Sequence, residues 1–329
     1  MVFNKIISLF STLFQYISSF VRYIVSLFDN NDNHNDNHND NDNDNHNVSS
    51  YKESLVNNPN KCILGKVVAN KFQKMSNINS KFEKEIIGQS QKGNDIIAFR
   101  YSNSRYKKTI AIVANMHGNE IIGLYITNRF MQMIINEEYK PEYNIIIIPT
   151  INPDGFLSNQ RYYSDEHDPN RNFYNNKTGT IETEMVKKYF RNCGNISFCV
   201  NLHGGALCVS YPMDTNANGN HYKESEHDKE YIRLAQIYTE NNTDMVMRYG
   251  SNGGYINGAD WYTIDGSFQD WLYLEQGVLN FTIEVSRVKN PLKSSYFYRK
   301  DTNGIIDKYW EQNKMAFIKL FESVSHKIN

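Results

Sequence analysis

The stretch that most restricts how this chain can fold is Asn144–Thr150, NIIIIPT. Isoleucines in unbroken succession leave no polar face, so a strand here must be covered on both sides. Thr109–Ala114 and Phe198–Leu202 are apolar runs of the same kind, and Asp95–Tyr101 and Val278–Val285 (VLNFTIEV) also read as strands. Helical patterns lie between them. Glu120–Glu138 carries Ile121, Leu124, Tyr125, Asn128 and Met131 at helical spacing, followed by Thr180–Arg191, Glu226–Asn241 and a closing Thr302–His326. Tyr51–Lys74 and Asn77–Ile86 read as short helical or mixed segments. Strands alternating with helices argue for an α/β fold: one domain over residues 51–329, with a mixed, mostly parallel β-sheet flanked by helices.

Two segments stand outside that domain. In residues 1–28, Phe3, Ile7, Phe10, Phe14, Ile17, Val21, Ile24 and Phe28 recur at alternating spacings of four and three, with serines and Arg22 opposite. That is an amphipathic helix with a broad apolar side. It suits a membrane interface, a secretory signal or anchor, or a helix docked on protein; membrane association is the expectation taken forward. Interrupting polar residues argue against a true span. Residues 29–50 (DNNDNHNDNHNDNDNDNHNVSS) lack any apolar residue before Val48. Such a tract gains too little from burial to offset the entropy of ordering, and reads as a disordered tether. His34, His38 and His46 within it belong to that solvated background.

Net charge is −1, from 35 Lys and Arg against 36 Asp and Glu, so nothing electrostatic points to a nucleic-acid partner. Cys62, Cys193, Cys199 and Cys208 are too few for a disulfide scaffold; Cys193 and Cys199 either pair in an oxidising compartment or are ordinary thiols.

The chemistry gathers where the strands end. His117-Gly118-Asn119-Glu120 follows the Thr109–Ala114 strand, Asn152-Pro153-Asp154-Gly155 follows NIIIIPT, His203-Gly204-Gly205 follows FCVNL, and Glu284 interrupts VLNFTIEV. In open α/β sheets ligands bind at that edge. H-x-x-E alone arises readily by chance. Two imidazoles and a carboxylate as ligands, with one position left to water, is nevertheless the arrangement of several zinc hydrolases. Such a site needs a separate carboxylate to move a proton, and Glu284, a charge in an apolar strand, is the candidate. No G-x-S-x-G or H-E-x-x-H occurs, which leaves a serine hydrolase or a helix-borne zinc site without support.

Taken in order, HGNE, NPDG, NRNF, NLHGG and NGADWY…GSFQDW…FTIEV resemble the zinc metallocarboxypeptidases of the carboxypeptidase A superfamily, above all the carboxypeptidase N/E branch, over roughly Gly88 to Val285. The resemblance implies a zinc carboxypeptidase-like fold, one Zn2+ per chain held by His117, Glu120 and His203, and Glu284 as general base and acid. It further implies that Arg161 polarises the scissile carbonyl, and that Asn170 and Arg171 grip the terminal carboxylate of a peptide or protein substrate. Tyr262 would close over that carboxylate. Asp214 would face the leaving side chain, with Gln269 at the pocket floor, which implies release of C-terminal Lys or Arg.

The sequence also departs from the family. No transthyretin-like β-sandwich is expected after the catalytic domain, since a helix follows soon after the motif set. Asp168-Pro169 precedes NRNF and implies an altered local backbone, and Ile181 replaces a common proline while Glu182 and Thr183 remain. Two rivals share the motif set: a zinc-dependent deacylase or amidohydrolase of the same superfamily, and a catalytically inactive peptide-binding relative.

Overall fold

The central strands send alternate residues into two separate cores, which is why they read as unbroken apolar runs. From β3 (Thr109–Ala114), Ile110, Ile112 and Ala114 enter one core while Ala111 and Val113 enter the other. From β4 (Asn144–Ile148), Ile145 and Ile147 part from Ile146 and Ile148 in the same way. The computed structural model describes residues 81–242, 244–245, 253–291 and 302–325, all within the compact unit Leu55–Asn329. The amphipathic segment 1–28, the tract 29–50, Cys62 and the segment Tyr51–Lys74 lie outside the described residues.

Six further strands complete the sheet: β1 (Glu83–Gln89), β2 (Asp95–Tyr101), β5 (Ile196–His203), β6 (Ala206–Tyr211), β7 (Tyr255–Asn257) and β8 (Leu279–Ser286). The eight run in the order β1-β2-β4-β3-β5-β8-β6-β7. The core block β4-β3-β5-β8 is parallel, β1 and β2 join antiparallel at one side, and β6 packs antiparallel on β8 at the other. One face is covered by α1 (Ile122–Ile135), α4 (Asp228–Glu240) and α7 (Thr302–Ser325). The other is covered by α3 (Ile181–Asn192) and α6 (Phe268–Gln276). Between them lie the short helices α2 (Pro153–Ser158) and α5 (Gly258–Trp261). This is the expected mixed, mostly parallel sheet flanked by helices.

The differences from expectation are local. Glu83–Gln89, which overlaps the expected helical or mixed segment, is an edge strand whose side chains are mostly exposed and so carries no burial pattern. Only two residues, Gly204 and Gly205, separate β6 from β5, too few for a separate element to announce itself. Helix α1 starts at Ile122 rather than Glu120, because the Glu120 amide donates to the His117 carbonyl (2.9 Å) and closes a turn there. Cys193, Cys199 and Cys208 are free thiols, two of them buried. Among the described residues no helix is long and apolar enough to cross a membrane.

Phe281 on β8 is fully buried and meets Phe198 of β5 edge-on with ring centroids 5.2 Å apart. Replacing it by Ala should lower the free energy of unfolding by about 3–5 kcal/mol. Ile86→Ala on the exposed side of β1 should change it by no more than about 0.5 kcal/mol. Urea titration of the two variants checks the contrast; equal losses would contradict this account of the core.

Candidate active site

The turn that follows β3 is shaped by Asn115. Its φ of 50° lies in the left-handed region that asparagine tolerates better than most residues. From there its Nδ2 donates to the carbonyls of His117, Gly118 and Glu120 at 3.1, 3.2 and 3.3 Å, and its Oδ1 accepts from Thr150 Oγ1 at 2.9 Å. The HGNE turn is thereby closed and tied to the chain leaving β4. It also lies flush on α2: a Cβ at Gly118 would come within 2.0 Å of the Gly155 carbonyl carbon. Asn152 of NPDG caps α2 by accepting from the Gly155 amide (2.8 Å). Its Nδ2 donates to the carbonyls of Met116, Arg161 and Tyr162 at 3.2, 3.3 and 3.1 Å, which aligns Arg161 with the turn.

His203 is the last residue of β5 and Glu284 is its register partner on β8. The chain then crosses the end of β8 through Gly204-Gly205. Gly205 (φ +140°) donates its amide to the Ser286 carbonyl at 2.8 Å, and a Cβ on Gly204 would strike Ser286 Oγ at 2.7 Å.

These elements converge. Ligand atoms of His117, Glu120 and His203, all buried, lie within 4.8 Å of one another. Glu120 Oε2 is 3.0 Å from His117 Nδ1, 2.9 Å from His203 Nδ1 and 3.2 Å from the Gly204 amide; Oε1 accepts from Arg161 Nη1 at 3.2 Å. Burial resists a charge on Glu120, but the two imidazoles overcome it and hold the carboxyl well below the usual carboxylate range. Burial keeps His203 toward its neutral form. Neutral imidazole and ionised carboxylate are the states a divalent ion requires, and an N, N, O donor set suits zinc. His117 Nε2 lies 3.0 Å from Asp168 Oδ1, an arrangement that fixes the ring and leaves Nδ1 for an ion. Asp168 Oδ2 accepts from Arg161 Nε at 3.0 Å; burial notwithstanding, His117 and Arg161 hold its carboxyl far below the ordinary value. On the other side, Asn201 Nδ2 lies 2.9 Å from His203 Nε2.

Glu284 faces the same cavity, and its Oε2 is buried with no hydrogen-bond partner. Burial, and then the charge on Glu120, push its carboxyl up to about 8. Such an orphaned group needs an explanation, and a carboxyl titrating near neutrality is suited to proton transfer. His117, Glu120 and His203 thus fit a bound divalent ion, with the Glu284 carboxyl in the same cavity.

Arg161, Asn170, Asp214 and Tyr262 line this cavity as well. Asn170 is fixed by the Phe268 amide, which donates to its Oδ1 at 3.0 Å. Asp214 enters where Gly258 leaves room, since a Cβ there would sit 1.9 Å from its Oδ1. Burial, and then the charge of Asp270, push the Asp214 carboxyl up to about 8. Two residues sit differently from expectation. Arg171 donates Nη1 to the Asn170 carbonyl (2.8 Å) and borders an adjoining cavity with Asp168 and Tyr174, although its charge still acts on Asp214 and Tyr262. Gln269 is wholly buried behind the pocket rather than at its floor; Nε2 donates to Asp214 Oδ1 (2.9 Å) and Oε1 accepts from the Thr282 amide (2.8 Å). Ser210, Trp261, Thr282 and Lys289 also line the cavity and carry no sequence signal beyond their neighbours.

Comparison with known proteins agrees with this geometry. Carboxypeptidase D of Mus musculus is 30% identical over 244 residues, a match that takes in 64% of this chain but only 17% of that protein. Carboxypeptidase M of Mus musculus is 28% identical over 296 residues, 79% of this chain and 63% of that one. The chain thus spans about a sixth of the first relative's length. The crystal structure of carboxypeptidase A from Helicoverpa armigera superposes with a TM-score of 0.61 at 14% identity, covering 79% of this chain and 71% of the other, which establishes the shared fold. A sequence profile described as zinc carboxypeptidase matches residues 68–316, a span that contains the HGNE turn, the NLHGG crossing and Glu284, and the chain belongs to that family.

Proposed function

We propose that the protein is a zinc-dependent carboxypeptidase that removes a C-terminal Lys or Arg from peptides or proteins. The observation that carries the reading is the convergence of His117, Glu120 and His203 in one cavity with Glu284, whose Oε2 is buried with no hydrogen-bond partner. His117, Glu120 and His203 would hold the ion, which supplies Lewis acidity toward a carbonyl and acidifies water.

The protein's own groups do the rest. Glu284 takes a proton from the attacking water as its oxygen bonds to the scissile carbonyl carbon, then delivers that proton to the departing nitrogen as the C–N bond breaks. Arg161, held by Asp168 and Glu120, is a fixed cation beside the oxygen on which negative charge develops. Asn170 and Arg171 bind the terminal carboxylate, with Tyr262, exposed at the rim, closing over it. Asp214 receives the cationic side chain and Gln269 fixes its orientation. A deacylase acting on acidic leaving residues would need a cation where Asp214 stands, and an inactive relative would have no use for an intact base.

Glu284→Gln should retain about one zinc per chain by metal analysis while losing about 10²–10⁴-fold in turnover. Near-normal turnover would remove Glu284 from its role. Release of the last residue from peptides that differ only there, with and without a zinc chelator, tests the function as a whole. Lys and Arg should be favoured, chelation should abolish release, and Asp214→Ala should erase the preference over Leu and Phe. A preference unchanged by that substitution would contradict the pocket assignment.

The pocket also predicts a pH dependence. Burial and the charge of Asp270 push the Asp214 carboxyl up to about 8, so it ionises as pH rises through that value. A guanidinium is charged throughout this range, so binding it drives the proton off. The ratio of kcat/KM for C-terminal Arg over C-terminal Leu should therefore rise with pH and level off above about 8; taking the ratio cancels the titration of Glu284, which both substrates share. A ratio that stays flat across this range would show Asp214 already ionised or absent from the pocket.

A further inference from the structure

Arg161, nearest the ion-binding cluster, is fully engaged: Nε and Nη2 donate to Asp168 at 3.0 and 2.9 Å, and Nη1 lies 3.2 Å from Glu120 Oε1 and 3.1 Å from His117 Nδ1. Lys289 differs. Its side chain is about half exposed (48%) at the cavity wall, and its Nζ reaches only the outer limit of an ion pair, 3.9 Å from Glu120 Oε1, an oxygen that Arg161 approaches more closely. An ion held by Glu120 would take up that carboxylate's charge; Lys289 also acts on the charge of Glu284, but among the described residues no ion pair joins the two.

The backbone around Lys289 is nevertheless held. Ser286 Oγ donates to the Val288 carbonyl (2.9 Å), and Asn290 Nδ2 donates to Asn159 Oδ1 (2.8 Å). The aliphatic stem lies over Gly205, where a Cβ would come within 3.5 Å of Lys289 Cγ and 3.6 Å of Cε. A fixed stem with a free head is how a lysine presents its charge to something that arrives from solvent.

Position in the cavity says what arrives. Asp214 lines the cavity among Gln269, Asp270 and Gly258, whereas Lys289 lines it beside Glu120 and over Gly205. If the last residue of a peptide fills the Asp214 end and its scissile bond lies at Glu284, the residue before that bond is the one brought to Lys289. We propose that Lys289 reads the penultimate side chain of the substrate, favouring Asp or Glu there and disfavouring Lys or Arg. This rests on the carboxypeptidase reading above and adds a second charge preference of opposite sign to the first.

The test uses the zinc-loaded protein and three peptides that end in Arg and differ only in the penultimate residue: Glu, Gln or Lys. A partly exposed charge pair is worth a few-fold in binding. The kcat/KM ratio of the Glu peptide over the Lys peptide should thus be about tenfold in the wild type, and should shrink in about 1 M salt. Lys289→Met, which keeps the stem over Gly205, should bring the ratio near one, and Lys289→Glu should invert it. Because the readout is a ratio, a general loss of activity in either variant does not mask it. A ratio that persists unchanged in Lys289→Met, with Arg still released, would overturn the role of Lys289 alone. Failure of the wild type to release Arg from all three peptides would overturn the carboxypeptidase reading and this proposal together.

Discussion

Everything in the cavity depends on keeping the Glu120 carboxylate ionised away from water. An unpaired anion buried to that extent would protonate or pull the structure open. Here it is met by two imidazole nitrogens, a guanidinium nitrogen and a backbone amide, all within 3.2 Å. Each partner is held by something else: His117 and Arg161 by Asp168, His203 by its place in β5 and by Asn201, the Gly204 amide by the crossing over β8. Removing any one of these leaves a buried charge short of a partner, so the cluster stands or falls as a unit. Its surplus of basic groups around one acid is the state of a site made to share that acid with a cation.

The second buried acid pair works the other way. Asp214 lines the pocket and Asp270 lies against it from behind; Asp270 is occupied by the amides of Asp214 and Thr215, and Asp214 by Gln269. Both carboxyls are pushed up, by burial first, so the pocket holds latent rather than developed negative charge. A cationic side chain bound there would supply the missing counter-charge. Under the proposed reaction, selectivity then comes from a proton that the ligand expels as well as from a standing attraction.

Much of this was legible in the sequence, for reasons that can be named. Strands β3, β4, β5 and β8 are covered on both faces, and an apolar run such as NIIII announces such burial without any partner being known. The residues at their ends were found because a His or Glu that interrupts or terminates such a run is expensive unless a site uses it. What was not legible depends on contacts distant along the chain. Asp168 was visible only as a departure next to a proline, yet it sits against His117, 51 positions away. The resemblance implies Gln269 at the pocket floor, but its amide turns inward, where its Oε1 accepts from the Thr282 amide. β1 escaped because an edge strand with exposed side chains has no periodic signal, and β6 because only a glycine pair separates it from β5.

The pairing of His203 with Glu284 on neighbouring strands has a consequence for how such a protein can diversify. The spacing of ion ligand and carboxyl is set by the hydrogen-bonding repeat of the sheet, the stiffest dimension the fold possesses. Other groups that line the cavity, Asp214 beyond β6, Tyr262 beyond α5 and Lys289 beyond β8, hang from the ends of elements instead. Under the proposed function, drift in those connecting segments would retune what is recognised without disturbing the His203–Glu284 pair, so one framework could serve a succession of different substrates.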